Sequence, residues 1–200
     1  MKKLLIYLYL VNNLFFVYPN FASSKVVGEQ IILGSVISLS GKHSLKGKDI
    51  LDNFNIAIEN INKKGGVKVG GKNYKFQLVY YDDESNPTRA AQIVKRLILQ
   101  EGIQFILGPY SLELSEVIMP IIEKNRVLLV DINNMSSLMI SDKYKYIFSV
   151  EGSSNPAKES ANALLTYKEA IEKANSFDVL KIRNVLNIVI EFRDYLASVT

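Results

Sequence analysis

Three acids stand side by side in YYDDESNPTRAA (residues 80–91): Asp82, Asp83 and Glu84. Carboxylates grouped in this way bind hard cations, move protons, or complement the positive end of a helix. Adjacent side chains in one turn diverge, and no further oxygen ligands follow at calcium-loop spacing. Capping and helix-dipole duty is therefore the expected role, and no metal is expected. His43 is the single histidine and would have to serve any Ser-His-Asp triad, yet no G-x-S-x-G surrounds a serine, so it is expected to be an exposed loop residue. From Gly66 to Lys72 the chain imitates a phosphate-binding loop. Asn73 stands where a magnesium-binding Ser or Thr belongs, however, and a helix precedes the segment while a strand follows it, the reverse of what is needed. No pattern supports an enzyme, and no cofactor is expected.

The elements around these residues are legible from period and punctuation. Tyr74, Phe76, Leu78 and Tyr80 alternate as in a strand that ends near Asp82. Ala90, Ile93, Val94, Leu97 and Ile98 recur at helical spacing, with Pro87 suited to the first turn and Ser85 or Asn86 placed to accept its free amides. Upstream, IILGSVIS (31–38) is an apolar run fit for a strand buried on both faces. A helix follows, with the stripe Ile50, Leu51, Phe54, Ala57, Ile58 and Ile61 and a stop at Gly65–Gly66. A hairpin should turn at Gly70–Gly71. Downstream, 102–109 reads as a strand, 111–125 as a helix and 127–131 as a strand. This βαβαβαβ order predicts an α/β fold, a Rossmann-like parallel sheet with helices on both faces. Ligands in such sheets bind beyond the carboxyl ends of the strands, which here are the loops 39–47, 82–86, 109–112 and 132–141.

Composition narrows the class. Apolar residues make up 48% of 200, enough for a core, and there is no cysteine to form disulfides or thiolate metal sites. Residues 1–24 read as a signal peptide: a basic start, a short apolar stretch interrupted by Asn12 and Asn13, and small residues at Ala22 and Ser24. Its removal lowers the net charge from +4 to +2, and nothing in the charge pattern points to nucleic acid. A soluble periplasmic or secreted product is the expectation.

The run from GSVISLSGKHSLKGKDI through ILGPYS resembles the first lobe of a periplasmic solute-binding protein of the branched-chain amino acid and amide type, a leucine-binding-protein-like lobe. Its parts come in that family's order: LSG and a glycine before the first helix, IN-x-x-GG at its end, the DD-x-SNP turn, and ILGPYS before the third helix. The likeness covers about residues 31–150. It implies the type I periplasmic-binding fold, a small amino acid or amide-like ligand, and ABC permease subunits as partners in import. The alternative is a ligand-sensing or interaction domain of the same fold without a transport role.

The resemblance also places a site. The turn before the third helix presents a hydroxyl and free amides at a positive helix end, which suits a carboxylate or amide oxygen. Here that turn holds Tyr110 and Ser111, with Leu112 where the family commonly has a second serine. In the next loop Asn133 and Asn134 stand where the family carries small residues and a threonine. These four side chains either touch ligand or serve ordinary turn and cap roles.

After residue 150 the family would supply a second lobe, but only fifty residues follow, and 161–186 resembles the family's far C-terminal region. The division expected is therefore signal peptide 1–24, first lobe 25–150, and crossover plus C-terminal helices 151–200, a truncated remainder. The stripes Ala161, Leu164, Leu165, Ile171, Ala174 and Ile182, Val185, Leu186, Val189, Phe192, Leu196 should pack as a C-terminal helical extension on the first lobe. Left uncovered, they would drive self-association.

Overall fold

The computed structural model describes residues 26–133, 143–150 and 156–199, with side chains in the last stretch described over 157–190. Among these, β1 (Val26–Val27) and β2 (Gln30–Ile37) form an antiparallel hairpin, and β2 is buried from Ile31 to Ile37 as its apolar run requires. Helix α1 (Ser44–Lys63) buries Ile50, Phe54, Ala57, Ile58 and Ile61 and leaves Leu51 half-buried. It starts hard against the end of β2: a Cβ on Gly47 would lie 2.0 Å from the carbonyl oxygen of Ser38. Strands β3 (Val67–Val69) and β4 (Lys72–Asp82) pair antiparallel across Gly70–Gly71, whose φ values of 57° and 80° are what a tight two-residue hairpin turn demands.

Helix α2 spans Pro87–Leu99, beginning where proline and cap place it, and Asn86 Oδ1 accepts the Arg89 N–H at 3.0 Å. Replacing Asn86 with alanine is expected to lower stability by about 1 kcal/mol in chemical denaturation. An unchanged midpoint would mean the cap contributes nothing. β5 is only Phe105–Leu107, shorter than the expected 102–109. The Ile103 N–H returns to the carbonyl of Leu97 at 3.0 Å, so residues 102 and 103 belong to the exit of α2. Helix α3 (Leu112–Asn125), β6 (Leu128–Asp131), β7 (Ile147–Ser149), α4 (Pro156–Ala174) and α5 (Val179–Val199) complete the order.

The sheet runs β3-β4-β2-β5-β6-β7, with β1 beside β2, and β4, β2, β5, β6 and β7 are mutually parallel. The chain leaves β2 outward to β4 and returns past it to β5, so the order reverses between β2 and β5. Right-handed crossovers then put α1 on one face and α2 with α3 on the other. That leaves the α1 face of β5, β6 and β7 to be covered, and α4 and α5 cover it. α4 packs on α1, β3 and β6, and α5 packs on α4 and β7.

The apolar side of α4 differs from the expected one. Leu165 is 47% exposed, while Ala163, Leu164, Tyr167, Ala170 and Ile171 are fully buried. Tyr167 sits over Phe105 with ring centroids 5.5 Å apart, and its hydroxyl lies 2.8 Å from the carbonyl oxygens of Ile106 and Leu128. The far end of α4 grips the β3–β4 hairpin: Glu172 accepts the Lys68 N–H at 2.9 Å and Asn175 accepts the Gly70 N–H at 2.7 Å. In α5, Ile182, Leu186 and Val189 are buried. Over residues 157–190 the buried part of these faces is covered within one chain, while Leu165 and Ile188 remain exposed. Phe192 and Leu196 lie outside the described side chains.

Candidate ligand-binding site

At the carboxyl ends of the strands the loops are tied to one another. β2 and β4 end in register, Ile37 beside Asp82, so acids at the end of β4 meet free amides at the end of β2. Asp82 Oδ1 accepts the N–H of Leu39 at 2.9 Å and of Ser40 at 3.2 Å, and its Oδ2 accepts the Ser40 hydroxyl at 2.7 Å. Asp83 Oδ1 accepts the Ser38 hydroxyl and the Ser85 N–H, each at 2.7 Å. The expected helix-dipole and capping duty is thus corrected: the aspartates hold the loop after β2, and Asn86 alone caps α2. Burial pushes Asp82 up, but the Glu84 N–H, the Ser40 hydroxyl and the amides of Leu39 and Ser40 outweigh it and hold this carboxyl below its usual range. Asp83, fully buried, is raised because desolvation outweighs its two hydrogen bonds.

A second tie joins that loop to α3. Lys42 Nζ lies 2.6 Å from Glu113 Oε2, and the lysine's hydrogen bond and charge hold Glu113 below the usual carboxylate range. His43 packs edge-on against Tyr110, centroids 5.8 Å apart, and its N–H donates to Ser85 Oγ at 3.0 Å. The lone histidine therefore steadies Tyr110, although its ring Nε2 is buried without a partner among the described residues.

The third tie is a buried network under α3. Asp131 is fully buried; its Oδ2 accepts the Ser115 hydroxyl at 2.7 Å and its Oδ1 accepts the Asn133 N–H at 2.7 Å. The Asn133 side-chain amide donates to Pro109 O at 2.8 Å and to Ser115 Oγ at 2.6 Å. Burial pushes the Asp131 carboxyl up to about 6, against the opposing bonds from Ser115 and Asn133. Gly108 makes room for this network, since a Cβ there would stand 2.8 Å from Asp131 Oδ2.

Above the network lies a concavity of about 370 Å³ lined by Tyr110, Ser111, Leu112, Ile132, Asn133 and Glu159. Tyr110, Ser111 and Asn133 thus come together from two loops, as the sequence reading requires; Asn134 lies outside the described residues. Ser111 is also the N-cap of α3, its Oγ 3.4 Å from the Leu114 N–H, a long contact that leaves the hydroxyl proton free to donate elsewhere. Glu159, from the first turn of α4, was not anticipated. Only the docking of α4 brings it here, and no local pattern could announce it. Ser115 and Asp131 were read merely as helix and strand residues; a polar residue at the end of an otherwise apolar strand, VLLVD, was the available signal.

A family model described as periplasmic binding protein matches residues 30–169. Leu/Ile/Val-binding protein homolog 6 of Brucella abortus is 26% identical over 121 residues, covering 60% of this chain and 30% of that protein. The Leu/Ile/Val-binding protein of Escherichia coli is 29% identical over 86 residues, 43% of this chain and 22% of the other. This chain therefore spans less than a third of the length of either. Among solved structures, a leucine binding protein from Thermotoga maritima shares 26% identity at a TM-score of 0.51, over 60% of this chain and 32% of its own. An R. palustris solute binding protein in complex with 4-hydroxybenzoate shares 29% identity at a TM-score of 0.50, over 62% of this chain and 32% of its own.

Proposed function

The chain belongs to the periplasmic binding protein family, and from that premise we propose that it binds a small amino acid or amide-like solute at the carboxyl edge of its sheet, as the substrate-binding component of an ABC importer. The observation that carries this reading is the convergence of Tyr110, Ser111 and Asn133 on one concavity beside the amino end of α3. Tyr110 offers a ring wall. Ser111 offers a hydroxyl and the free amides of the first turn, where a ligand oxygen gains from the positive helix end. Asn134, next in the chain, belongs to the same proposal. The working location is the periplasm, reached by cleavage after residue 24, with residues 25–150 as the binding lobe, 151–200 as crossover and C-terminal helices, and ABC permease subunits as partners. The names of the relatives support an amino acid first: two are Leu/Ile/Val-binding proteins. No catalytic step is part of this reading.

A concavity open on one side leaves part of a ligand in water, so affinity should be weak, with Kd on the order of 1 mM and a binding free energy of about 4 kcal/mol. Isothermal calorimetry of the purified protein with L-leucine, L-isoleucine, L-valine and acetamide is expected to give saturable heats for at least one of them. Flat titrations with all four, carried to tens of millimolar ligand, would end this reading.

A further inference from the structure

At the edge of the sheet opposite the concavity, lysines gather without acids to match them. β4 runs from this edge, at Lys72, to the carboxyl edge, at Asp82. α1 ends here in Lys63 and Lys64, and the hairpin that follows carries Lys68, Lys72 and Lys75, all five exposed. The glycine stop folds the two segments together: a Cβ on Gly66 would lie 2.0 Å from the Tyr74 carbonyl oxygen, so the exit of α1 passes beside β4. Lys68 stands opposite Asn73, two residues before Lys75, so Lys68 and Lys75 share one face of the hairpin. The acids close by are engaged. Glu59 pairs with Lys63, Glu169 with Lys173, and Glu172 with Lys168 while also accepting the Lys68 N–H. Lys64, Lys68, Lys72 and Lys75 have no ion pair among the described residues. Against these four cations stands Glu29 of the β1–β2 turn, whose carbonyl accepts the Lys75 N–H at 2.8 Å.

We propose that this pole is a docking surface for an anionic lipid bilayer. The cations are spread over a helix exit and both strands of a hairpin, and a Cβ on Gly70 or Gly71 would meet nothing within 4 Å, so the turn projects into open space. Such a layout meets a broad, fluid field of phosphates, which demands no fixed register from flexible ammonium groups. The course of the chain gives a second reason. β1 pairs Val26 with Ile31, so the chain enters the fold at this same edge. Before it come Lys25, the apolar run LLIYLYLV (4–11), and Lys2 and Lys3, the segment read as directing the chain to a membrane. The free charge thus lies where that segment joins the fold. Val27, 53% exposed at the same edge, adds an apolar contact for the headgroup layer. Docked in this way, the protein turns its concavity, at the opposite ends of the same strands, toward solution. The inference is independent of what the concavity binds.

Cosedimentation of the full chain with vesicles of pure phosphatidylcholine, and of phosphatidylcholine mixed equally with phosphatidylglycerol, tests this. Binding to the anionic vesicles is expected to be at least tenfold tighter, since each lysine near such a surface contributes roughly fivefold. It should fall to the phosphatidylcholine level in about 1 M salt, where the Debye length shrinks to about 3 Å. The fourfold variant Lys64→Gln, Lys68→Gln, Lys72→Gln, Lys75→Gln should lose at least tenfold on anionic vesicles and nothing on neutral ones. A control that removes four exposed lysines elsewhere, Lys46→Gln, Lys48→Gln, Lys95→Gln and Lys158→Gln, should stay within threefold of the unmodified protein. Residues 1–24 are common to all three proteins, so their own affinity cancels. Equal binding of the unmodified protein to both vesicle types would overturn the proposal without any variant. An equal loss in the control would overturn it too, because net charge alone would then explain the binding. Capture by soluble polyglutamate as tight as by anionic vesicles would assign the face to an acidic protein and likewise end the bilayer reading.

Discussion

Replacing Tyr167 with alanine is expected to destabilise the protein by about 3–5 kcal/mol, a large share of the roughly 5–15 kcal/mol that holds a domain folded. The residue is fully buried and touches both β5 and β6. Three losses add up. The ring no longer fills the space over Phe105, and a cavity remains because the flanking residues belong to rigid strands. The hydroxyl no longer reaches the carbonyls of Ile106 and Leu128. Finally, α4 loosens from the face of the sheet that it covers. Tyr167→Phe isolates the second loss and should cost only about 1 kcal/mol. Urea denaturation followed by circular dichroism measures both. A loss below 1 kcal/mol for Tyr167→Ala would show that α4 does not close the sheet.

The second large effect is on pH. Asp131 has an ordinary carboxyl value of 3.8 and is raised to about 6 by burial, so the folded state holds its proton more tightly than the unfolded chain. Between those values the folded state binds the extra proton, and stability falls as pH rises. The contribution is fully present below about pH 4 and is lost by the time pH has passed through about 6; its size is roughly 3 kcal/mol. Lowered carboxyls such as Glu113 act in the opposite sense, so the effect is read as a difference between proteins. Relative to the unmodified protein, Asp131→Asn should gain up to about 3 kcal/mol between pH 4 and pH 8, measured by denaturant unfolding at each pH. Parallel stability curves for the two proteins would show that Asp131 titrates normally.

Much of the fold was legible because the signals are local. Period-two alternation over 74–80, the Gly70–Gly71 turn and the Asn86–Pro87 start each depend on a few neighbouring residues, and each appears where read. The loops that carry Tyr110, Ser111 and Asn133 were reachable too, because alternating strands and helices put the ends of β5 and β6 on one edge; the choice of those residues within the loops came from the family resemblance.

What stayed hidden depends on partners distant in the chain. The stripe on α4 admits more than one phase: Leu165 and Tyr167 are both large and lie two positions apart, on different sides of a helix. Only the sheet it meets decides that Tyr167 goes in and Leu165 out. The aspartates at the end of β4 looked like helix caps because the chain that follows them is a helix. Leu39 and Ser40, which donate to Asp82, and Ser38, which donates to Asp83, lie more than forty residues away and are supplied by strand pairing. The same holds for Asp131, whose burial rather than whose type raises its carboxyl, and for Glu159, which lies at the site only because α4 folds back over the sheet. By itself the sequence determined the elements, their order and the edge where a ligand could sit, since hydrogen-bonding period and turn geometry act over a few residues. Tertiary structure alone decided which polar groups are already tied up, because that depends on which donors and acceptors from distant parts of the chain packing brings together.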